Sequence, residues 1–200
     1  MKVSVVKKTG DARREEILDT TIEVLANEGY SSVSMRGIAE RIGIHLATLQ
    51  YYFPTKRDLL KSTIERSISC AVRETDELLS TSNSDPIKIL RKALKAHLNA
   101  CRDPTICKLF VALWGMSSHD EDVSYSLSEF YHRDCQRYAA LIKNANPKLS
   151  VSVCNNMAIL ILAQLEGLVL FISPGKPFEN KYRVIEKQFW SQLDAIIGES

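Results

Sequence analysis

The sequence predicts an all-α protein of about nine helices, in which a small N-terminal three-helix unit precedes a larger helical domain. Apolar residues recur at helical spacing through nearly every segment of the chain. Aspartate–proline pairs at 85–86 and 103–104 have the form of an N-cap followed by proline at the first helical position. Eight glycines and six prolines in 200 residues leave little room for a many-turned all-β fold. We therefore expect a first domain over residues 1–60 and a second domain over residues 61–200.

Turn and cap residues delimit the helices of the N-terminal part. The first helix lies in "DARREEILDTTIEVLANEGY", whose glycine fits the position after a helix C-cap. Ser34 opens a short second helix that stops at Gly43, and a third short helix ends at Pro54. A capping-box-like pair, Thr55 and Asp58, starts a longer fourth helix. Residues 1–10 are expected to form a flexible basic arm, and "STSNSDP" is the best linker candidate.

Five further helices are predicted in the second part, at about 86–102, 104–116, 120–144, 150–172 and 179–197. One of them contains the apolar run "MAILILAQLEGLVLFI", Met157 to Ile172. This run is shorter than the roughly 18–20 residues that a membrane span needs, and Gln164 and Glu166 interrupt it. We therefore expect no membrane partner, and a helix that is buried in a core or between subunits.

The chain shows none of the motifs that carry enzymatic chemistry. We find no nucleophile elbow, phosphate loop or paired-carboxylate site, and the four histidines and five cysteines have no metal-ligand spacing. The sequence therefore predicts no catalytic residue, no metal and no cofactor, and it disfavours an enzyme or a small-molecule carrier built on a helical bundle. The odd number of cysteines and the lack of a signal peptide favour a reducing, cytoplasmic setting.

The segment 34–53 has the form of a helix-turn-helix. Two short helices joined by a glycine-containing turn can share a core, and small residues such as Gly37 allow their close approach. The predicted core consists of Ile38, Ile42, Ile44, Leu49 and Phe53. A second helix held in this way can enter the major groove of DNA. Because the net charge is only +2, the case for DNA depends on this local arrangement.

Outward-facing residues around the second of these helices have suitable chemistry for DNA contacts. Gln50 can make two hydrogen bonds to adenine, and Leu46 with the alanine beside it can contact thymine methyls. Thr48 and tyrosine hydroxyls suit phosphate oxygens. Lys56 lies in the first turn of the next helix, where an anion is already favoured. The full set of predicted DNA-contacting residues is Arg36, His45, Leu46, Ala47, Thr48, Gln50, Tyr51, Tyr52 and Lys56.

The stretch "REEILDTTIEVLANEGYSSVSMRGIAERIGIHLATLQYYFPTKRDLL" resembles the N-terminal domain of the tetracycline-repressor (TetR) family. The shared features, in the family's order and spacing, are Ile17–Leu18, Gly29–Tyr30, Ile38–Ala39, Gly43–Ile44, Thr48–Leu49, Tyr52–Phe53, Lys56 and Leu59–Leu60. The resemblance implies a transcriptional regulator, commonly a repressor, that binds a pseudo-palindromic double-stranded DNA operator as a homodimer.

Carried onto this chain residue by residue, the resemblance implies phosphate contacts for Thr48, Tyr52 and Lys56. It implies base-facing positions for five other residues, namely Arg36, Leu46, Ala47, Gln50 and Tyr51. His45 stands where the family usually has a serine or threonine N-cap, and Gln50 stands where tyrosine is frequent. The docking geometry therefore transfers better than any base-by-base assignment.

The remainder of the chain resembles the family in helix count, length and an "EGL" at 166–168. The resemblance implies that a small molecule bound in the 61–200 domain releases the DNA, and that the helices near 150–172 and 179–197 form the dimer interface. Candidate pocket residues among the helices spanning 86–172 are His97, Phe110, Trp114, Met116, Tyr138 and Glu166. Their aromatic and sulfur content predicts a mostly apolar ligand. Glu166, a carboxylate in an apolar run, needs a partner, either a cationic ligand or a donor on the other subunit.

A second interpretation keeps the DNA-binding head, which is the predicted domain over residues 1–60, and makes thiol oxidation the signal that controls it. Cys101 and Cys107 are the pair that such a sensor would use. A sensor thiol has to be exposed and to have a lowered pKa, and the sequence has no positive cluster beside a cysteine that would lower it. Most free cysteines are buried small hydrophobic residues, which favours ligand sensing.

Overall fold

A computed structural model of the chain describes residues 10–67 and 85–197, and in these ranges it contains helices and connecting turns without a strand. The predicted all-α fold is confirmed. The described helices are α1 (Gly10–Glu28), α2 (Met35–Arg41), α3 (Leu46–Tyr52), α4 (56–67), α5 (Pro86–Ala100), α6 (Pro104–Ser117), α7 (Glu121–Ala145), α8 (Val151–Ile172) and α9 (Tyr182–Ile197). Two short 3₁₀ turns lie at Tyr30–Ser32 and Glu179–Lys181. Residues 1–9 of the predicted arm and residues 80–84 of the predicted linker lie outside the described ranges.

The described residues form two compact units. Unit 1 contains residues 10–67 and 108–127, and unit 2 contains residues 85–107 and 128–197. Helices α6 and α7 therefore contribute residues to both units. The division into a DNA-binding domain over 1–60 and a ligand-binding domain over 61–200 stays a prediction about function.

The core of unit 1 is an apolar cluster that joins α1 to the three helices after it. Its fully buried members include Ile17, Leu18, Leu25, Ile38, Leu49, Leu59, Leu60 and Ile64. Each side chain of this size stabilises the fold by about 1.5–3 kcal/mol when it is buried. Polar contacts complete the packing of α1 against α4: the Arg66 guanidinium pairs with the carboxylates of Glu15 and Asp19, and Arg14 donates to the Ser62 hydroxyl. These contacts hold α1 and α4 as a support for α2 and α3.

The predicted aspartate–proline helix starts are confirmed in both cases. The Asp85 carboxylate accepts a hydrogen bond from the Ile87 N–H at 3.0 Å, directly before α5. The Asp103 carboxylate accepts from the N–H groups of Thr105 and Ile106, both at 2.9 Å, at the start of α6. Each cap satisfies backbone donors that the first helical turn leaves without partners.

Helix α8 buries one face and leaves an apolar face exposed. The buried face consists of Cys154, Ala158, Ile161, Leu162, Leu165, Val169 and Ile172. The exposed apolar residues are Val151, Val153, Ile159, Leu160, Leu170 and Phe171. The helix has 22 residues because it begins before the apolar run, so among the described helices α8 alone is long and apolar enough to cross a membrane. Core helices of soluble proteins also meet this criterion of length and composition.

Candidate nucleic-acid interface

The turn between α2 and α3 is built around Gly43. This residue has φ 68°, a conformation that costs a residue with a side chain about 1–2 kcal/mol. The Gly43 N–H donates to the Glu40 carbonyl at 3.1 Å, and the Ile44 N–H donates to the Ala39 carbonyl at 3.0 Å. This pair of bonds is a Schellman motif, which satisfies the last carbonyls of α2 and sets the direction in which α3 leaves.

Gly37 has a different role from the predicted one. The sequence predicts that its small size lets α2 and α3 approach closely, but the atoms near a Cβ built at Gly37 are the Ser34 Oγ at 2.9 Å and the Ser32 carbonyl oxygen at 4.0 Å, and neither belongs to α3. That hydroxyl accepts a hydrogen bond from the Gly37 N–H at 3.0 Å and caps the start of α2. A side chain at Gly37 would therefore press on the hydroxyl that caps its own helix.

Three buried side chains hold α2 and α3 together. Ile38, Leu49 and Phe53 are at most 1% exposed, as the helix-turn-helix core requires. Ile42 and Ile44, also predicted for this core, are half-buried because they flank the turn. Since α3 has only seven residues, it is too short to be stable alone, and these anchors keep it helical.

The opposite side of α3 is exposed and polar. Four predicted contact residues on or next to it, His45, Ala47, Thr48 and Gln50, are exposed, and Tyr51 is 81% exposed. The remaining α3 residues of the predicted set, Leu46 and Tyr52, are half-buried. Arg36 is exposed on α2. The structure thus places eight of the nine predicted contact residues on α2, on α3 or at the N-cap of α3, and the ninth, Lys56, at the start of α4.

His45 occupies the N-cap position of α3 and makes no side-chain capping hydrogen bond. A serine or threonine there typically stabilises a helix by about 1 kcal/mol relative to a residue without a cap. The imidazole therefore remains available at the exposed start of α3.

The start of α4 confirms the predicted capping box. The Thr55 N–H donates to the Asp58 carboxylate at 3.0 Å, and the Asp58 N–H donates to the Thr55 hydroxyl at 3.1 Å. This reciprocal pair fixes the first turn of α4. Lys56, the next residue, is half-buried, and its ammonium lies 3.9 Å from the centroid of the Tyr30 ring.

Comparison with known proteins identifies this helix-turn-helix. The family model described as "Bacterial regulatory proteins, tetR family" matches residues 17–63, from the middle of α1 into α4. The HTH-type transcriptional repressor KstR of Mycolicibacterium smegmatis is 41% identical over 64 residues, which are 32% of this chain and 31% of KstR. Residues 17–63 therefore match the DNA-binding part of the tetR family, and the relatives found are transcriptional regulators. These findings support a DNA-binding transcriptional regulator.

The similarity of this regulator to known proteins extends beyond the head. The HTH-type transcriptional regulator BetI of Paraburkholderia xenovorans is 24% identical over 174 residues, covering 86% of this chain and 87% of BetI. A regulator from Saccharomonospora viridis, solved in complex with choline, has a TM-score of 0.63 and 20% identity, covering 88% of this chain and 95% of that one. At this identity the likeness in structure concerns the fold.

Three predicted pocket residues of the regulator meet in unit 2. His97 of α5 lies with Nε2 3.4 Å from a Glu166 carboxylate oxygen of α8, and with Nδ1 3.2 Å from the Tyr138 hydroxyl of α7. Asp134, whose side chain is 5% exposed, lies 4.0 Å from the same Nδ1 and pairs with Arg137 at 2.8 Å. Burial first, and then the Asp134 charge, raises the pKa of Tyr138, so the phenol stays protonated. Glu166 therefore has a partner within its own chain.

The other predicted pocket residues belong to unit 1. Phe110 is buried and Trp114 is half-buried, with their ring centroids 6.1 Å apart on α6. Met116 is half-buried on the same helix. Within the described ranges, no group of three histidine, cysteine, aspartate or glutamate side chains is arranged to hold a metal ion.

The cysteines that a redox mechanism would use are buried thiols. The Cys107 thiol donates to the Cys101 carbonyl at 3.0 Å, and the Cys101 thiol donates to the Leu165 carbonyl at 3.3 Å. Burial is the main cause that raises the pKa of both thiols. A raised pKa keeps a thiol protonated and slow to react, which is the opposite of what a sensor requires.

Sequence reasoning missed four charged or polar residues that the structure places beside predicted ones. Asp134, which pairs with Arg137, lies beside His97, and Tyr30, which donates to Asp120, lies beside Lys56. The sequence marks Tyr30 only as part of the Gly29–Tyr30 family motif, and Asp120 is 90 residues away from it in the chain. No periodicity in the sequence links residues at that separation.

Proposed function

We propose that this regulator is a cytoplasmic repressor that binds a pseudo-palindromic operator as a homodimer and is released by a small-molecule effector. The observation that carries the DNA-binding part is the division of α3 into two sides. Leu49 and the neighbouring Phe53 anchor the helix, while the predicted contact residues on its other side are exposed. A short helix with a rigid inner side and an exposed polar side suits insertion into the major groove.

The predicted contact residues divide into two chemical roles. Gln50, Tyr51 and Arg36 have side chains that can reach base edges, and Gln and Arg give the best hydrogen-bonded discrimination. Thr48, Tyr52 and Lys56 suit the phosphate backbone, which sets position and affinity without reading sequence. His45 can serve either role, because its imidazole is exposed and is not used as a helix cap.

Operator selection followed by titration tests this proposal. We expect selection from random DNA to enrich a two-fold symmetric site, and the logarithm of affinity to fall by about 0.9 per contacted phosphate for each unit of log salt. Lys56→Ala should weaken binding to all sequences alike and reduce this slope by about 1. Selection that enriches no sequence would overturn the proposal.

The exposed apolar face of α8 supports dimerisation. Leu160 is 66% exposed and Ile159 is 54% exposed, and on α9 Val184 is 61% exposed. The side-chain amide nitrogen of Gln164 donates to the side-chain oxygen Oε1 of Gln192 at 3.4 Å, which joins α8 to α9. Interfaces between identical subunits are more apolar than the rest of a protein surface. We propose that α8 and α9 pair with the same helices of a second copy.

The effector is proposed to be mostly apolar and to carry a cationic group that is recognised by Glu166. Only about a fifth of the Glu166 side chain is exposed, and His97 holds it from one side. A cation beside it would gain a charge-assisted contact in a partly buried setting. The choline complex of the Saccharomonospora viridis regulator supports testing a quaternary ammonium first.

Thermal shift measurements separate the two parts of the effector proposal. We expect choline to raise the melting temperature of the wild type, and its uncharged isostere 3,3-dimethylbutanol to raise it less. Glu166→Gln should remove the advantage of choline over the isostere. Equal shifts for both compounds would contradict the cationic group. A library screen that finds no stabilising compound of any kind would contradict the effector itself.

A further inference from the structure

Lys56 does not stand alone at the start of α4. Its ammonium lies 3.9 Å from the centroid of the Tyr30 ring. The Tyr30 hydroxyl donates a hydrogen bond of 2.5 Å to one carboxylate oxygen of Asp120. The other oxygen of Asp120 accepts from the N–H groups of Asp122 and Val123, at 2.9 and 3.1 Å, and so caps α7. A continuous chain of contacts therefore links Lys56 to the first turn of α7, all within unit 1.

A second contact joins the same two helix starts. Arg57, the neighbour of Lys56, donates from Nε to the Asp122 carboxylate at 2.7 Å. Its guanidinium carbon lies 4.8 Å from the centroid of the Tyr125 ring. Two adjacent basic residues of α4 are thus held by the first turns of α7, one through Tyr30 and one directly. These two attachments hold the first turn of α4 against the start of α7.

We propose that Tyr30 and Asp120 are positioning residues for the DNA contact of Lys56, so that the first turn of α7 sets the affinity of the head for DNA. This inference rests on the proposed function, in which Lys56 contacts a phosphate. Tyr30 and Asp120 act through Lys56 and do not themselves touch DNA.

The chemistry of the three groups supports this role. A free lysine side chain loses about 2 kcal/mol of rotamer entropy when it is fixed, and a chain already held over a ring loses less on binding. The hydrogen bond to the Asp120 carboxylate pulls the tyrosine proton away from the ring oxygen and makes the ring a better partner for a cation. Burial, followed by this bond, raises the pKa of Tyr30, so the phenol keeps its proton.

The experiment measures operator affinity for Tyr30→Phe in two backgrounds, wild type and Lys56→Ala. The substitution keeps the ring and removes only the hydroxyl that Asp120 holds. In the wild-type background we expect binding about threefold to tenfold weaker and a smaller salt slope. In the Lys56→Ala background we expect the same substitution to have no effect, because the group that it positions is gone. A purely structural role of the hydroxyl would weaken binding equally in both backgrounds, which would overturn the proposal.

Matched variants control for hydroxyl loss and for charge. Tyr131→Phe removes a hydroxyl from a ring of unit 2, outside this chain of contacts, and should leave affinity unchanged. Asp120→Asn should weaken binding as Tyr30→Phe does, whereas Glu121→Gln, which removes a charge from the next residue, should not. Tighter binding by Tyr30→Phe would mean that the ring withholds Lys56 from DNA, and would overturn the proposal. If Lys56→Ala itself leaves affinity and salt slope unchanged, the failure lies in the proposed phosphate contact.

Discussion

Helices α3 and α8 expose opposite kinds of surface. Helix α3 has seven residues and exposes threonine, glutamine and tyrosine beside a single fully buried anchor, Leu49. Helix α8 has 22 residues and exposes leucine, isoleucine and phenylalanine opposite a continuous buried face. In both helices the inner side is apolar, so burial alone does not distinguish them. The exposed sides differ, and each suits its proposed partner: DNA, a hydrated polyanion, for α3, and a second apolar surface for α8.

This difference predicts that the two helices fail in different ways when they are changed. A change on the exposed side of α8 should alter assembly while each protomer stays folded. A change at the inner side of α3 should unfold the head, and a change at its outer side should alter only DNA recognition.

The largest effect is expected from Leu160→Arg. A charge in the proposed α8 interface should separate the dimer and cost the two heads their joint binding, which typically contributes a factor of about 10²–10⁴. Light scattering should report a monomer, and titration should report the loss of operator affinity. Val111→Arg is the control, because Val111 is an exposed apolar residue on α6. A Leu160→Arg protein that remains dimeric would contradict the assignment of α8 to the interface.

Leu49→Ala should have the next largest effect. Removal of a fully buried leucine costs about 2–5 kcal/mol, because it loses burial and leaves a cavity. Urea denaturation should show a lower midpoint for the head. Thr48→Ala, at the exposed neighbour, should change stability by less than about 0.5 kcal/mol. Similar losses for the two variants would mean that the inner and outer sides of α3 are not distinct.

Gln50→Ala should change sequence preference and leave the fold intact. Loss of a two-point hydrogen bond to a base costs about 1–3 kcal/mol of discrimination at one base pair. Selection with the variant should therefore relax the preference at a single position in each half-site. Relaxation spread evenly over the site would assign Gln50 to the backbone instead.

The smallest effect is expected from Asp120→Ala, whose cost in folding stability depends on pH. The hydrogen bond that Asp120 accepts from Tyr30 is the main cause that lowers the pKa of Asp120. The bonds that it accepts from N–H groups at the start of α7 lower this pKa further. Because the pKa of Asp120 in the folded state lies below its unfolded-state pKa of about 3.9, the ionised carboxylate stabilises the fold at pH values above about 3.9. This stabilisation is lost as the pH falls through the folded-state pKa. Asp120→Ala should therefore cost about 1 kcal/mol at pH 7.

Unfolding curves at several pH values test this sign. The difference between wild type and Asp120→Ala should shrink below about pH 4 and disappear at lower pH. Glu121→Ala, which leaves the cap in place, serves as the control. A difference that stays constant down to the acid limit would show that the charge of Asp120 does not contribute.

Most of the local architecture could be predicted from the sequence by itself. Helical periodicity, the aspartate–proline starts and the Thr55–Asp58 capping box all involve residues a few positions apart, and the structure confirms them. Gly43 at the turn is equally local, because its positive φ is a property of one residue and its neighbours. The division of α3 into buried anchors and exposed contacts followed from the same short-range pattern.

Contacts between distant parts of the chain were decided only by the tertiary structure. The sequence indicated that Glu166 needs a partner, but the choice of His97, held in turn by Tyr138, depends on how α5, α7 and α8 pack. The sequence also placed Lys56 at a helix start, whereas its position over Tyr30 depends on a hydrogen bond to Asp120, 90 residues from Tyr30. Helix caps and periodicity are governed by local backbone geometry and can be recognised in a short window. Polar side chains find their partners through the packing of whole helices, which no short window contains.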